Sequence, residues 1–258
     1  MIQFSRHKNN AVLKKYAFVL KRGDRMALEV EKKGLSVGKD SVGKDLDDSL
    51  EFKYEAKPVY SFFKRMFDIV VSFICIVFLL IPFAVISLII LIEDKEAPPI
   101  FVQKRVGKNG RLFKIYKFRT MCANAEDKLV ELQEMNEADG PVFKIKNDPR
   151  ITKVGAALRA SNIDELPQLF NIFLGHMSFV GPRPALPNEV EQYRPQDKLR
   201  LLVIPGLTCY WQATKNRNDI SFDEWMALDR KYIMERGVWV DIKLIFKTFL
   251  FLFNKSGY

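Results

Sequence analysis

Ile69-Val70-Val71-Ser72-Phe73-Ile74-Cys75-Ile76-Val77-Phe78-Leu79-Leu80-Ile81-Pro82-Phe83-Ala84-Val85-Ile86-Ser87-Leu88-Ile89-Ile90-Leu91-Ile92 is a run of 24 residues without a charge. As a helix it would be roughly 36 Å long, enough to cross a hydrocarbon core of about 30 Å. Pro82 lies near its middle, where it removes one backbone N–H and crowds the carbonyl of Phe78, which favours a sharp bend. Both flanks are basic: Lys53, Lys57, Lys64 and Arg65 precede the run, and Lys104, Arg105, Lys108, Arg111, Lys114 and Lys117 follow it. Positive charge favours the cytoplasmic side, so both ends are expected there. A re-entrant helix–break–helix that dips into one leaflet satisfies the proline and the flanks together. A plain span kinked at Pro82 is the alternative.

The rest of the chain bounds its chemistry. At 258 residues it has room for one sizeable domain with appendages. A formal net charge of +10 implies an anionic partner: nucleic acid, a phosphorylated substrate or an anionic leaflet. Beside a bilayer-length apolar run, the membrane is favoured. Cys75, Cys122 and Cys209 form no CxxC pair and imply neither a disulfide framework nor a zinc site. The only histidines are His7 and His176, which argues against a histidine metal centre or a Ser-His-Asp triad. The N-terminus lacks the apolar core of a signal peptide, so the globular part is expected in the cytoplasm.

Residues 1–57 are polar and lysine-rich, with the tandem repeat Ser36-Val37-Gly38-Lys39-Asp40 and Ser41-Val42-Gly43-Lys44-Asp45. They read as a flexible extension in which 11–32 could form a short basic helix. Ile100-Phe101-Val102 and Leu112-Phe113-Lys114-Ile115-Tyr116 flank Gly107-Lys108-Asn109-Gly110 and predict a β-hairpin. Charged residues at 122–137 and basic ones at 154–159 predict helices. Ser221-Phe222-Asp223-Glu224 is a capping box for a helix ending at Gly237. Residues 239–253 suit an interfacial helix or a buried core helix.

The candidate chemistry centres on Asp164-Glu165. Pro167 fits only the first turn of a helix, which sets the expected helix start at about Asp164. There the unpaired amides and the dipole favour an ionised carboxylate and could also cradle a phosphate. Asp164 is then a plausible nucleophile toward phosphorus, and Glu165 a ligand for Mg2+. Plain capping explains the same pair equally simply. Basic residues lie near in sequence: Arg159, Arg183 between Pro182 and Pro184, and Lys114, Lys117 and Arg119. Arginine forks match phosphate oxygens, and a proline-locked turn presents one at little ordering cost. No GxxxxGK[ST] loop or GxGxxG motif is present.

Over about three quarters of the chain, from Lys64 onward, these motifs resemble the monotopic phosphoglycosyl transferases, or bacterial sugar transferases. The likeness rests on Lys64-Arg65-Met66-Phe67-Asp68, Gln103-Lys104-Arg105-Val106-Gly107, Lys117-Phe118-Arg119-Thr120-Met121, Asp148-Pro149-Arg150 and Asp164-Glu165-Leu166-Pro167-Gln168. It continues through Met177-Ser178-Phe179-Val180-Gly181-Pro182-Arg183-Pro184, Pro205-Gly206-Leu207-Thr208 and Arg217-Asn218-Asp219. The resemblance implies that Asp164 attacks the β-phosphate of a UDP-sugar and releases UMP. A polyprenyl phosphate, usually undecaprenyl phosphate, then takes the sugar-phosphate from the carboxylate. This begins capsule, exopolysaccharide or glycoconjugate assembly. It implies that Glu165 binds Mg2+, that Arg159, Arg183 and Arg217 contact phosphate or nucleotide, and that Lys64, Arg65 and Asp68 anchor a re-entrant hairpin bent at Pro82.

Ile81 stands where the family often has serine, Asn216 stands where glycine is usual, and 1–57 match no part of the minimal family domain, where larger members carry extra membrane spans. Residues and resemblance together give an α+β fold, mostly helical. It comprises the extension 1–57, a re-entrant membrane helix hairpin 58–96, and a small cytoplasmic domain 97–258 with a short β-hairpin and interfacial amphipathic helices. The partners expected are a UDP-sugar, polyprenyl phosphate and membrane lipids, with no nucleic acid and a homo-oligomer left open. The sugar also stays open among galactose, glucose and N-acetylated amino sugars. Competing readings are a membrane glycosyltransferase moving the sugar alone, which would release UDP, and a non-catalytic basic membrane adaptor.

Overall fold

The computed structural model describes residues 54–253 apart from 126, 130–131, 133–135, 137–139, 143–144, 146–147 and 215–219. The tandem repeat, the expected helix at 11–32, much of the expected helix at 122–137 and Arg217 lie outside the described residues.

Helix α1, Pro58–Glu93, is 36 residues long and starts with a proline in its first turn, where no N–H is lost. It runs through Pro82 as one helix, although the sequence predicts a break there. A proline costs one intrahelical bond but need not end a helix whose neighbours hold both arms. Here Phe83, the next residue, meets Phe118 at 5.5 Å and Phe170 at 6.2 Å between ring centroids. One face of α1 is thus fixed along its length. Cys75, Ile76, Leu79 and Phe83 pack on Phe113, Ile115, Leu169, Ile172 and Met177, and Ile90 joins Phe118 and Leu158. The opposite face is bare and apolar, with Phe78 and Ile81 each 78% exposed. By length and composition α1 could cross a membrane, and only 11% of its most apolar window is buried, unlike the core helix of a soluble protein.

The charged residues at the start of α1 tie it to the rest of the chain. Lys64 Nζ lies 2.5 Å from Asp241 Oδ2, and Asp68 Oδ1 accepts from the Phe179 amide at 3.1 Å. Arg65 donates to the carbonyls of Ile172 at 2.6 Å and Phe173 at 2.7 Å.

The hairpin forms as the sequence predicts. Strands β1, Ile100–Val106, and β2, Leu112–Phe118, pair antiparallel from Ile100↔Phe118 to Val106↔Leu112. Asn109 (φ 56°) and Gly110 (φ 74°) supply the left-handed turn residues. The basic helix follows as α2, Lys153–Ala160, capped by Thr152. Helix α3, Gln168–Phe173, leads into β3, Ser178–Val180, which pairs in parallel with β4, Gly206–Thr208. This second sheet is absent from the sequence reading. It requires glycine at 206, because a Cβ there would lie 2.1 Å from the Gly181 nitrogen. Between the two strands lies α4, Pro187–Gln192.

The capping box is present: Glu224 N donates to Ser221 Oγ and Ser221 N to Glu224 Oε2, opening α5, Phe222–Glu235. The last helix, α6, Val238–Phe253, buries Asp241 and Leu244. Trp239 (82% exposed), Ile242, Phe246, Phe249 and Leu250 lie outward, so α6 is not a core helix. The result is α+β and mostly helical, with apolar faces of α1 and α6 left uncovered.

Candidate active site

Asp164 and Glu165 sit on a single 3₁₀ turn, Ile163–Glu165, not at the start of an α-helix. Asn162 enters it in the left-handed conformation (φ 54°), and α3 begins three residues later with Pro167 at its N-cap. The expected helix start at about Asp164 is thus one turn too early: the carboxylates precede α3 and do not open it. The Glu165 amide donates to Asn162 O at 3.3 Å and the Leu166 amide to Ile163 O at 3.1 Å. Those two amides are therefore engaged within the turn, which weakens the expected backbone cradle for phosphate.

Asp164 is 9% exposed. Burial pushes its carboxyl up to about 6, Lys117 and Arg159 pull it down, and Glu165 pushes it further up. The helix-end effect expected from the sequence is outweighed by desolvation. At pH 7 such a group is still about nine-tenths ionised.

The basic residues divide. Lys117 Nζ lies 2.7 Å from Glu165 Oε1. Its strand is fixed against α3 by Asn171, fully buried: the Tyr116 amide donates to Asn171 Oδ1 at 3.0 Å, and Asn171 Nδ2 donates to Lys114 O at 2.6 Å. Arg159, on α2, donates from Nε to Thr120 Oγ1 at 2.8 Å and acts electrostatically on Asp164. α2 can approach that closely because Gly155 has no side chain; a Cβ there would lie 2.0 Å from the Thr120 carbonyl oxygen.

Arg119 goes elsewhere. Its Nη1 meets Asp94 Oδ2 at 2.9 Å and its Nη2 donates to the Asp94 carbonyl, so it anchors the exit of α1. Lys64, Arg65 and Asp68 bind α1 to α3, β3 and α6, as described, and Pro82 is inside α1.

Pro182-Arg183-Pro184 follows β3 and is pinned through its backbone. Gly206 N donates to Pro182 O at 2.9 Å, and Val106 N donates to Ala185 O at 2.8 Å. Arg105 Nη1 donates to Pro184 O at 3.1 Å. Arg105 is buried, and desolvation followed by the charge of Arg183 lowers its pKa to about 10, with Glu189 and Glu165 opposing. Arg105, Arg183 and Glu165 thus share one electrostatic neighbourhood, which Asp164 and Lys117 adjoin.

Arg105 enters the sequence analysis as flanking positive charge and as part of a family motif but not as a site residue, and Asn171 is given no role there. Both carried a signal: Gln103 and Arg105 share a strand face, and Asn171 interrupts the apolar set Leu169, Phe170, Ile172.

No group of three or more His, Cys, Asp or Glu side chains is placed to hold a metal among the described residues. Two adjacent carboxylates nevertheless suit Mg2+, which takes few protein oxygens and completes its shell with phosphate and water.

A buried acid faced by Lys117 and Arg159, whose neighbour Glu165 also feels Arg105, invites comparison with known proteins. The family model for bacterial sugar transferase matches residues 59–255. The galactosyl transferase CpsE of Streptococcus agalactiae is 43% identical over 185 residues, 72% of this chain and 41% of that protein. The undecaprenyl-phosphate galactose phosphotransferase of Salmonella typhimurium is 40% identical over 210 residues, 78% of this chain and 43% of that one. This chain therefore spans about two fifths of the length of those two relatives. The exopolysaccharide production protein ExoY of Rhizobium meliloti is 36% identical over 196 residues, 74% of this chain and 86% of that protein. With Asp164, Glu165, Lys117 and the arginine turn all inside the matched region, this chain belongs to the bacterial sugar transferase family.

Proposed function

We propose that this chain transfers a sugar 1-phosphate from a UDP-sugar to undecaprenyl phosphate or a similar polyprenyl phosphate, through a covalent intermediate on Asp164. The observation that carries the reading is the setting of Asp164: buried, raised to about 6, and faced by Lys117 and Arg159. An Asp164 carboxylate oxygen attacks the β-phosphorus, the bond from that phosphorus to the bridging oxygen breaks, and UMP leaves with both bond electrons. A phosphate oxygen of the polyprenyl phosphate then attacks the same phosphorus, the polyprenyl diphosphate sugar leaves, and the Asp164 carboxylate is restored. Arg159 and Arg183, with Lys117, supply positive charge where negative charge gathers on the phosphates. Arg217 is assigned a share in nucleotide or phosphate binding by the motif it belongs to. Mg2+ held through Glu165 and the substrate phosphates would offset the charge of the diphosphate when bound. A partly desolvated carboxylate is a stronger nucleophile than a hydrated one, provided it stays ionised.

The second substrate is a lipid, and the contacts of α1 support a monotopic attachment. Residues of α1 from Tyr60 through Ile90 touch the same globular unit, at Asp241, Ile172, Phe179, Phe118 and Leu158 in turn. A span would need about 20 residues clear of the globular part. With both arms held, the bare face of α1 and that of α6 enter one leaflet, and the carboxylates remain at the cytoplasmic surface of the cell membrane. In this arrangement the ends of α1 share a side, as in the re-entrant reading, although the helix is not interrupted at Pro82. A role in starting exopolysaccharide or capsule assembly fits this activity.

The test is to incubate membrane-embedded protein with a panel of UDP-sugars, undecaprenyl phosphate and Mg2+, and to identify the nucleotide released. UMP, with label from a β-32P UDP-sugar retained on the protein before lipid is added, is expected. UDP as product, or full turnover by Asp164→Asn, overturns the proposal.

A further inference from the structure

We infer that Arg200 is a positioning residue that holds the Pro182-Arg183-Pro184 turn and aims the Arg183 guanidinium. The inference rests on the proposed role of Arg183 toward the UDP-sugar. Arg200 lies in the 3₁₀ turn Asp197–Leu202 and is 4% exposed, too enclosed to meet substrate itself. Its Nη2 donates to the carbonyl of Arg183 at 2.9 Å, and its Nη1 donates to Tyr193 Oη at 2.7 Å. Nη2 also lies 2.8 Å from Asp229 Oδ2, a buried ion pair whose carboxylate oxygens receive no aligned hydrogen bond.

A second connection between the two arginines runs through aromatic rings. The Arg200 guanidinium sits 5.1 Å from the Trp225 ring, Trp225 stacks on Trp211 at 4.5 Å and 19°, and the Arg183 guanidinium sits 5.9 Å from Trp211. Two indoles are thus flanked by two guanidiniums, a favourable arrangement because each cation meets the electron-rich face of a ring. The same Arg200 that fixes the Arg183 backbone therefore also braces the platform under its side chain.

Pro182 and Ala185 present their carbonyls to backbone amides, whereas Arg183 and Pro184 depend on the side chains of Arg200 and Arg105. A lysine at 200 keeps the charge opposite Asp229 but has no planar fork to serve Tyr193, Arg183 and Trp225 together.

The test compares Arg200→Lys, Arg183→Ala and the double variant in the full chain, embedded in membrane, with separate titrations of UDP-sugar and undecaprenyl phosphate. In Arg200→Lys the KM for UDP-sugar is expected to rise by about tenfold while the KM for undecaprenyl phosphate stays within about twofold. In the Arg183→Ala background, Arg200→Lys is expected to add nothing further, the mark of two residues acting as a unit. Arg200→Met with Asp229→Asn removes the buried charges together and is to give the same KM pattern should the lysine variant fold poorly. Effects that multiply, or an equal loss of rate with both substrates, overturn the positioning role and leave the function of Arg183 standing. An unchanged KM for UDP-sugar in Arg183→Ala overturns instead the assignment of Arg183, and this inference with it.

Discussion

As the proposed nucleophile, Asp164 faces two opposed demands: burial that sharpens its reactivity and a charge with which to attack. With its pKa at about 6 rather than 3.8, its ionised form is disfavoured by the fold. The stability tied to this group is therefore fully present below about pH 4 and is lost as the pH rises through 6. At pH 7 the ionised carboxylate costs the folded state on the order of 1–3 kcal/mol. Asp164→Asn is accordingly expected to raise the thermal midpoint at pH 7.5 by a few degrees, with the gain vanishing toward pH 4; a drop at pH 7.5 would contradict the assignment. In the wild type, the burst of UMP release is expected to fall about tenfold per pH unit below 6, since only the ionised form attacks. The acidic pair was legible from its proximity to Pro167, but its burial was not. Desolvation comes from residues distant in sequence, and local helix-start rules see only the dipole. Lys117 and Arg119 make the same point: two residues apart in one basic stretch, they end on Glu165 and Asp94.

At the scale of elements, the site depends on how β2 is set against α3, and Asn171 sets it. Its side-chain amide takes the place of a neighbouring strand for Tyr116 N and Lys114 O. Asn171→Leu leaves both backbone groups without their partner in a partly buried contact and is expected to cost about 1–3 kcal/mol, read from a denaturant titration. Activity is expected to fall further than the folded fraction, because Lys117 loses its register opposite Glu165. Asn171→Asp, which turns a donor into an acceptor facing the Lys114 carbonyl, is expected to be no better. The β-hairpin, α2 and the capped α5 were legible because turn and cap chemistry is local. The β3–β4 pair was not: three residues each are too few for periodicity, and their closeness depends on Gly206, which pattern reading treats as a turn. Pro82 does not interrupt the helix as its local chemistry predicts. Its local penalty is real, but packing by Phe83 on Phe118 and Phe170 keeps the helix going.

Over the whole molecule, the apolar run, the basic flanks and the ordered motifs made both the membrane association and the family legible. The proposed seating of the helix rests on long-range contacts, which no local pattern carries. The topology has a direct check. In a background with Cys75, Cys122 and Cys209 replaced by serine, single cysteines at Ala56 and Lys95, on either side of α1, are expected to react with an impermeant maleimide from the same side of sealed vesicles. Labelling from opposite sides would make α1 a span.

Arg65 gives this seating a mechanical meaning. From within α1 it grips the last carbonyls of α3, the helix that begins just after the carboxylate turn. In the proposed monotopic attachment the bilayer has a lever on catalysis: lipids of different acyl-chain length, by changing the tilt of α1, are expected to change turnover. Arg65→Ala, with the lever uncoupled, is expected to work at a reduced rate that no longer follows chain length.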